Sequence, residues 1–132
     1  MKDTALAEAV NSTRYPLDAF VFVQRGLDFT VRRAHGELEE DYDPDDPDQP
    51  SRHVTGQMLC EGLRDFALQQ YGLLAGTVLR RWRITECEDF GHIVFAMVQS
   101  GMMHKTEDDT LDDFHNVFSF REAFGAGSLA LS

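Results

Sequence analysis

Apolar residues recur at helical spacing along most of the chain, and this pattern predicts about five helices. A short helix is predicted over about residues 3–11, followed by a longer helix that begins at Pro16 and ends at Gly36. Proline suits the first turn of a helix because the N–H that it lacks has no helical partner there. Glycine suits the position after the last turn because it adopts positive φ at little cost. These two residues therefore mark the ends of the longer helix.

Most apolar residues of this second helix share one stripe, with two aromatic exceptions. The stripe comprises Leu17, Phe20, Val21, Val23, Leu27, Val31 and Ala34. Phe22 and Phe29 lie seven positions apart and project together on the opposite side. Two aligned rings need cover, either from the first helix or Phe118–Phe124, or from another molecule. Phe22 and Phe29 are therefore candidate partner-binding residues, although cover from within the chain is the favoured interpretation.

Three more helices are predicted further along the chain. Residues 55–71 form the first, because Thr55 is a suitable N-cap and Gly72 a suitable stop. A helix over about residues 73–83 follows. Thr85 and Glu88 then have the spacing of a capping box, in which each side chain bonds the other's backbone N–H. The helix that they open ends at Gly101.

The residues after Gly101 allow two interpretations. Met102–Lys105 and Val117–Phe120 are predicted as the short strands of a β-hairpin, or else Thr110–Phe118 forms one or two further helical turns. Residues 125–132 are small and weakly patterned, so we expect a frayed tail.

The predicted fold class is mainly α. We expect one domain over residues 1–132, built as a small bundle of about five helices, with the C-terminal hairpin as an optional addition. A winged helix, in which the hairpin would be the wing, is the less favoured alternative.

Acidic residues outnumber basic residues by 23 to 12 among 132 residues, which gives a formal charge of −11. Eight of the acids lie between Glu37 and Asp48, a stretch that has no basic residue and contains Pro44 and Pro47. Such a segment buries too little apolar surface to order itself, so residues 37–51 are predicted to be a flexible acidic loop. The overall charge excludes a uniformly basic nucleic-acid binder and a polybasic membrane anchor.

Two features of the sequence indicate a cytoplasmic protein. Asp3 and Glu8 interrupt the apolar core that a signal peptide would need. No apolar run approaches the roughly 18 residues of a membrane span. We therefore expect no membrane partner.

The densest basic cluster is formed by Arg80, Arg81 and Arg83, next to Trp82. It lies at the C-terminus of a predicted helix, where cations complement the helix dipole. The simplest interpretation is that the arginines stabilise this helix end. The functional alternative is that they contact an acidic protein partner, an RNA phosphate or the acidic loop of the same chain. We therefore treat these three arginines as candidate partner-binding residues.

Motifs for catalysis, cofactors and metals are missing from the sequence. There is no nucleophile elbow, no P-loop and no dinucleotide-binding glycine motif. The run from Asp41 to Asp45 begins like an EF-hand loop, but Asp46 and Arg52 stand where that loop needs Gly and Glu. Cys60 and Cys87 match no zinc spacing and are expected to be reduced thiols. We predict no catalytic, cofactor or metal-ligating residue.

Six phrases together resemble a family of small acidic bacterial proteins associated with planctomycete and verrucomicrobial lineages. The phrases are Tyr15–Phe20, Gln24–Arg33, Arg52–Gln57, Glu61–Asp65, Glu88–Gly91 and Lys105–Phe114. The resemblance covers roughly residues 15–124 and implies a cytoplasmic bacterial protein. The family has no known activity, so the resemblance implies no cofactor and no role for an individual residue.

The favoured function is a non-catalytic, cytoplasmic protein-interaction module of an adaptor or regulatory kind. A nucleic-acid-associated regulator of winged-helix type is the alternative, and an enzyme with an unrecognised site is the third hypothesis. The expected partner is another protein, and self-association is compatible with the sequence.

We predict that the protein does not bind duplex DNA. In a winged helix, the helix over Glu86–Ser100 would enter the major groove, and its first turn carries Glu86, Glu88 and Asp89. Carboxylates at this position repel the phosphates on which DNA affinity depends. Fluorescence anisotropy with a random duplex at about 0.15 M salt tests this, and sub-micromolar binding with a steep salt dependence would contradict it.

Overall fold

Five α-helices make up most of the described chain, and they confirm the predicted mainly α fold. The computed structural model describes residues 2–36, 54–101 and 111–125, and within these ranges there is no β-strand. The α-helices are α1 (Lys2–Asn11), α2 (Leu17–His35), α3 (Gly56–Tyr71), α4 (Ala75–Arg81) and α5 (Cys87–Gln99). Three short helical turns accompany them, namely Gly72–Leu74, Leu111–Phe114 and Arg121–Gly125.

Several predicted helix ends are confirmed by their capping geometry. Gly36 follows α2 with φ 81°, and Gly101 follows α5 with φ 86°. The Thr55 side chain accepts a hydrogen bond from the N–H of Met58 at 3.0 Å, which caps the start of α3. The fourth helix is shorter than predicted, because residues 72–74 form a separate 3₁₀ turn before α4. In these cases short-range hydrogen bonding fixes where each helix begins and ends.

The closest helix contact is between α2 and α3. A Cβ atom added at Gly62 would lie 1.9 Å from Oγ1 of Thr30, and one added at Gly26 would lie 2.2 Å from Cδ2 of Leu63. The buried Thr30 hydroxyl donates to the carbonyl of Gly26 at 2.7 Å, so its polar atom is satisfied inside the interface. Small residues therefore let the two helix backbones approach one another closely.

This contact corrects the predicted apolar face of α2. Leu17 and Ala34 are exposed, whereas Ala19, Gly26 and Thr30 are buried. Phe20 and Val23 of the predicted stripe are buried as expected. At 100° per residue, however, the centre of the buried face is rotated by roughly 90° from the centre of the predicted stripe. The prediction missed this rotation because it was based on large apolar residues, and small residues form the contact with α3.

Phe22 lies at the centre of an aromatic cluster and is only 3% exposed. Its ring centroid is 5.5 Å from those of Phe66 and Trp82, 6.3 Å from Tyr71 and 6.5 Å from Phe90. These rings come from α3, the end of α4 and α5. The first helix or Phe118–Phe124 was expected to cover Phe22. Among the described residues, the rings that contact Phe22 come from other parts of the chain.

The C-terminal segment, defined as residues 111–125, packs against α3, α4 and α5. Phe114 is buried against Gly91, where an added Cβ would lie 2.8 Å from the Phe114 Cγ atom. Phe124 is buried against Gly76, with a corresponding distance of 3.0 Å to its Cβ atom. Glycines on α5 and α4 thus leave the space that these two phenylalanine side chains occupy.

The predicted β-hairpin is not supported. Val117–Phe120, its second strand, has no strand structure. Its first strand, Met102–Lys105, lies outside the described residues, as do the predicted acidic loop over 37–51 and the tail after Gly125. Without a described wing strand, the structure gives the winged-helix interpretation no support.

Asp89 joins the turn between α1 and α2 to the start of α5. Its carboxylate is 1% exposed and accepts hydrogen bonds from the phenol of Tyr15 and from Nη2 of Arg14 at 3.1 Å. It also accepts from the backbone N–H groups of Thr85 at 2.8 Å and Glu86 at 3.1 Å. Burial alone would raise the pKa of Asp89, but these hydrogen bonds and the Arg14 charge hold that pKa below its ordinary value.

The position of Asp89 corrects two expectations. The capping box lies one residue further along than predicted, with Glu86 as the N-cap and Asp89 as its third helical residue. Glu88 instead bonds Nδ1 of His115 at 2.7 Å. Asp89 is therefore an internal anchor and does not contribute a surface charge to the start of α5.

We predict that Asp89→Asn lowers the free energy of unfolding by about 1–3 kcal/mol at neutral pH, because an amide cannot accept all of these hydrogen bonds. A lowered folded pKa gives stability that is present above the unfolded pKa of about 3.9 and is lost as the pH falls through the folded value. The difference between wild type and variant should therefore shrink in acid. Urea unfolding at several pH values measures it, with Glu8→Gln on the exposed side of α1 as the control.

Equal unfolding free energies of wild type and Asp89→Asn at neutral pH would contradict the anchoring role. A difference that is unchanged in acid would contradict the assigned pKa shift.

Candidate functional site

A groove lies between α4 and the C-terminal segment, with a volume of about 250 Å³. Leu73, Gly76, Phe120 and Phe124 form most of its apolar lining. Polar and charged side chains complete it: Thr77, Thr85, Arg80 and Arg121. We call this feature the α4 groove. It combines an apolar interior with two cationic side chains.

Leu73 and Leu74 are the most exposed large apolar side chains in the described part of the chain, at 59% and 64%. Both residues belong to the 3₁₀ turn Gly72–Leu74, which stands before α4 where a continuous helix was predicted. Leu73 lines the α4 groove and Leu74 is its neighbour. Exposed apolar surface beside a groove is typical of a contact site.

Four arginines lie in or near the α4 groove. Arg80 and Arg121 line it, and Arg81 and Arg83 lie at the same end of α4. All four are exposed, and none forms an ion pair with another described residue. Arg80 donates only a long hydrogen bond, 3.4 Å, to Oγ1 of Thr77. Although the chain carries an excess of acid, the described structure leaves these cations without carboxylate partners.

Arg83 adopts a backbone conformation that usually belongs to glycine. Its φ is 65°, and it ends α4 in a Schellman motif. The N–H of Ile84 donates to the carbonyl of Leu79 at 2.9 Å, and the N–H of Arg83 donates to the carbonyl of Arg80 at 2.9 Å. Ile84 and Leu79 are both fully buried, which supplies the apolar contact of this motif. Left-handed backbone costs an L-residue about 1–2 kcal/mol, so arginine here is an energetic exception.

The structure separates the five predicted partner-binding residues into two regions. Arg80, Arg81 and Arg83 lie at the α4 groove or its end. Phe22 instead lines a different cleft of about 230 Å³ between α2, α3 and Trp82. Phe29 is half-buried, 5.4 Å from the Phe66 ring. Partner binding by Phe22 and Phe29 stays a prediction, and the buried position of Phe22 leaves little of its ring accessible.

Sequence reasoning missed the contact between Cys87 and the C-terminal segment. Cys60 on α3 and Cys87 on α5 are both buried free thiols, and the Cys87 thiol donates a hydrogen bond to the carbonyl of Phe118 at 3.3 Å. No local motif signals this contact, because 31 positions separate Cys87 from Phe118. The groove wall from Phe120 to Phe124 was missed for the same reason.

Among the described residues, no group of three or more His, Cys, Asp or Glu side chains is placed to hold a metal ion. Within the same ranges, no helix has both the length and the apolar character needed to cross a bilayer.

Compared with protein-family models, curated proteins and solved structures, the chain matches none. The resemblance to a bacterial family therefore stays a prediction.

We predict that Arg83→Gly raises the free energy of unfolding by about 1 kcal/mol, because glycine adopts the left-handed conformation without a Cβ penalty. Arg81→Gly removes the same charge from a helical position and should lower the free energy of unfolding by about 0.5–1 kcal/mol. Urea unfolding of the two variants isolates the backbone effect. If both variants are destabilised equally, Arg83 is not under backbone strain.

Proposed function

We propose that the protein is a non-catalytic interaction module that binds an acidic and partly apolar segment of another protein in the α4 groove. One observation carries this proposal: exposed leucines, together with arginines that form no ion pair with a described residue, lie in or beside one apolar groove. An adaptor or regulatory role in the bacterial cytoplasm is part of the proposal.

The size of the groove favours a peptide side chain over a cofactor. Pockets for small molecules usually have volumes of about 300–1,000 Å³ and enclose most of the ligand. At about 250 Å³, the α4 groove accommodates one or two apolar side chains. The rest of a bound segment would lie across the surface beside Leu73 and Leu74.

The arginines favour acidic residues around that apolar anchor. A guanidinium presents a planar set of donors that binds a carboxylate through two hydrogen bonds. Arg80 and Arg121 approach the groove from α4 and from the C-terminal segment, so they can bind acids on two sides of one anchor. Charge attraction also steers an acidic segment to this region despite the net charge of the whole chain.

The conformation of Arg83 supports a functional use of the cluster. A residue held in an unfavourable backbone region is a reason to consider a role for its side chain. Arg83 continues the basic surface of Arg80 and Arg81 past the end of α4.

The proposal predicts the sequences that the groove selects from a displayed peptide library. Enriched peptides should contain a large apolar residue flanked by Asp or Glu. The double variant Arg80→Glu with Arg121→Glu should weaken a selected peptide by at least about tenfold, equivalent to 1.4 kcal/mol. Arg25→Glu reverses one charge at an arginine of the other cleft and is the matched control for the single variants Arg80→Glu and Arg121→Glu. Isothermal titration at two salt concentrations measures the affinities.

Two results would contradict this function. One is selection of peptides that bind the double variant as tightly as the wild type. The other is a selected peptide whose affinity is unaffected by Leu73→Ser, since the leucine belongs to the proposed apolar contact. Tighter binding of a single-stranded RNA than of any selected peptide would instead favour phosphate recognition by the arginines.

A further inference from the structure

Aromatic rings line the cleft between α2, α3 and Trp82, and we call this feature the ring cleft. Its rings are Phe22, Phe66, Tyr71 and Trp82, and its volume is about 230 Å³. Phe22 is buried beneath the other three rings, which are half-buried. The ring cleft shares no lining residue with the α4 groove, so a ligand bound there is independent of the proposed function.

Three of these rings are close enough together to interact with one bound group. The centroid of Phe22 lies 5.5 Å from that of Trp82 and 6.3 Å from that of Tyr71, and the last two centroids are 6.0 Å apart. The planes of Tyr71 and Trp82 meet at 78°, so these rings form two walls of a corner. The face of an aromatic ring is negative and attracts a cation within about 6 Å of its centroid. The spacing therefore allows one cation to interact with all three rings.

An acid and a base of α2 lie at the rim of the ring cleft. Asp18 and Arg25 are both exposed, and neither forms an ion pair with another residue that the structure describes. Asp18 shares a helix face with Phe22, four residues further along α2. Arg25 is seven residues from Asp18, which is about 10 Å along the helix axis. This distance exceeds the Debye length of about 8 Å at physiological salt, so a cation beside Asp18 is largely screened from Arg25.

Rings with a single carboxylate suit a quaternary ammonium group better than other cations. A primary ammonium has three N–H donors, and in this cleft most of them would face rings and lose their hydrogen bonds to water. A calcium ion takes six to eight oxygen ligands, but Asp18 is the only carboxylate among the described lining residues. A quaternary ammonium has no N–H group, so its methyl groups pack on ring faces without leaving a donor unsatisfied.

The ring cleft fits a ligand that is little larger than its cationic group. Pockets for drug-sized molecules usually have volumes of about 300–1,000 Å³, which is more than the ring cleft offers. Its exposed lining residues are Asp18, Arg25 and Gln70, all of them polar. They provide no apolar surface for the rest of a peptide, unlike Leu73 and Leu74 beside the α4 groove.

We propose that the ring cleft is a binding site for a small quaternary ammonium compound of about the size of choline. The trimethylammonium group packs against Phe22, Tyr71 and Trp82, and the Asp18 carboxylate compensates its charge at the rim. The uncharged end of the ligand extends towards solvent. The formal charge of −11 on the whole chain also attracts such a cation.

The first experiment titrates the isotope-labelled full chain with choline and follows the amide and ring signals by NMR. We expect saturable shifts centred on the ring cleft, with a Kd of about 1 mM or tighter. The neutral probe 3,3-dimethylbutan-1-ol has the shape of choline with carbon in place of the charged nitrogen. It should bind at least about fivefold more weakly, because it lacks the attraction to the ring faces. Nuclear Overhauser effects should connect the choline methyl protons to the rings of Tyr71 and Trp82.

Three results of this titration would overturn the site. They are the lack of any saturable shift up to about 20 mM choline, equal affinity for choline and its neutral analogue, and methyl contacts that lie in the α4 groove. A peptide containing trimethyl-lysine is a further probe. If it binds more than about tenfold tighter than choline, the assignment to a small molecule is wrong.

Substitutions at Trp82 test the interaction with the ring faces. Choline affinity should fall by about threefold in Trp82→Phe and by about tenfold in Trp82→Leu, because phenylalanine keeps a negative face and leucine has none. Phe95→Leu removes a half-buried ring of α5 that does not line the cleft, and it is the matched control. Equal affinities of Trp82→Phe and Trp82→Leu would show that apolar volume alone decides binding, which contradicts the proposal. Thermal melts establish that each variant is folded.

Asp18→Asn tests the site without a change in the core, because Asp18 is exposed. Its choline affinity should be about threefold weaker than that of the wild type at low salt, and the difference should shrink at high salt. Asp28→Asn is the control, since it makes the same substitution on α2 outside the cleft. If Asp18→Asn binds choline as tightly as the wild type at low salt, the role assigned to this carboxylate is wrong.

Discussion

The close approach of α2 and α3 determines where the other elements can lie. With no Cβ at Gly62, the Thr30 side chain fits against the backbone of α3 and still satisfies its hydroxyl within α2. This approach brings Phe22 to Phe66, and the same ring then contacts Trp82 beyond the end of α4. Because close-packed interiors tolerate few voids, the positions of α4 and α5 follow from this pair. The C-terminal segment packs on glycines of those two helices.

The sequence predicts features that depend on neighbouring residues and misses those that depend on distant ones. The caps at Gly36 and Thr55 were found because a turn or a side-chain oxygen a few residues away decides them. The buried face of α2 was predicted only in part, since packing against α3 overrides the hydropathy of single residues. The contacts of Asp89 with Tyr15 and of Cys87 with Phe118 join residues far apart in the chain. Helical periodicity contains no information on such pairs.

The candidate site also combines features that neighbouring residues decide with features that distant residues decide. The sequence shows a charge cluster at Arg80, Arg81 and Arg83. Stabilisation of a helix C-terminus through the helix dipole is enough to explain this cluster. Phe120 and Phe124 form the opposite wall of the groove, and their presence makes the cluster part of a candidate binding site. Phe118, two residues before this wall begins, also accepts a hydrogen bond from the buried thiol of Cys87. One short segment therefore contributes both to the surface groove and to the packed core of the protein.

Trp82 is the only tryptophan of the chain, and its position makes it an intrinsic optical probe. The indole is half-buried, with its centroid 5.5 Å from that of Phe22 and 6.0 Å from that of Tyr71. It occupies the C-cap of α4, immediately before Arg83, and its backbone N–H bonds the carbonyls of Val78 and Leu79. Its emission colour and quenching thus depend on the packing of the helix that carries the basic cluster. Fluorescence of the unlabelled protein reports on that helix without contribution from a second indole.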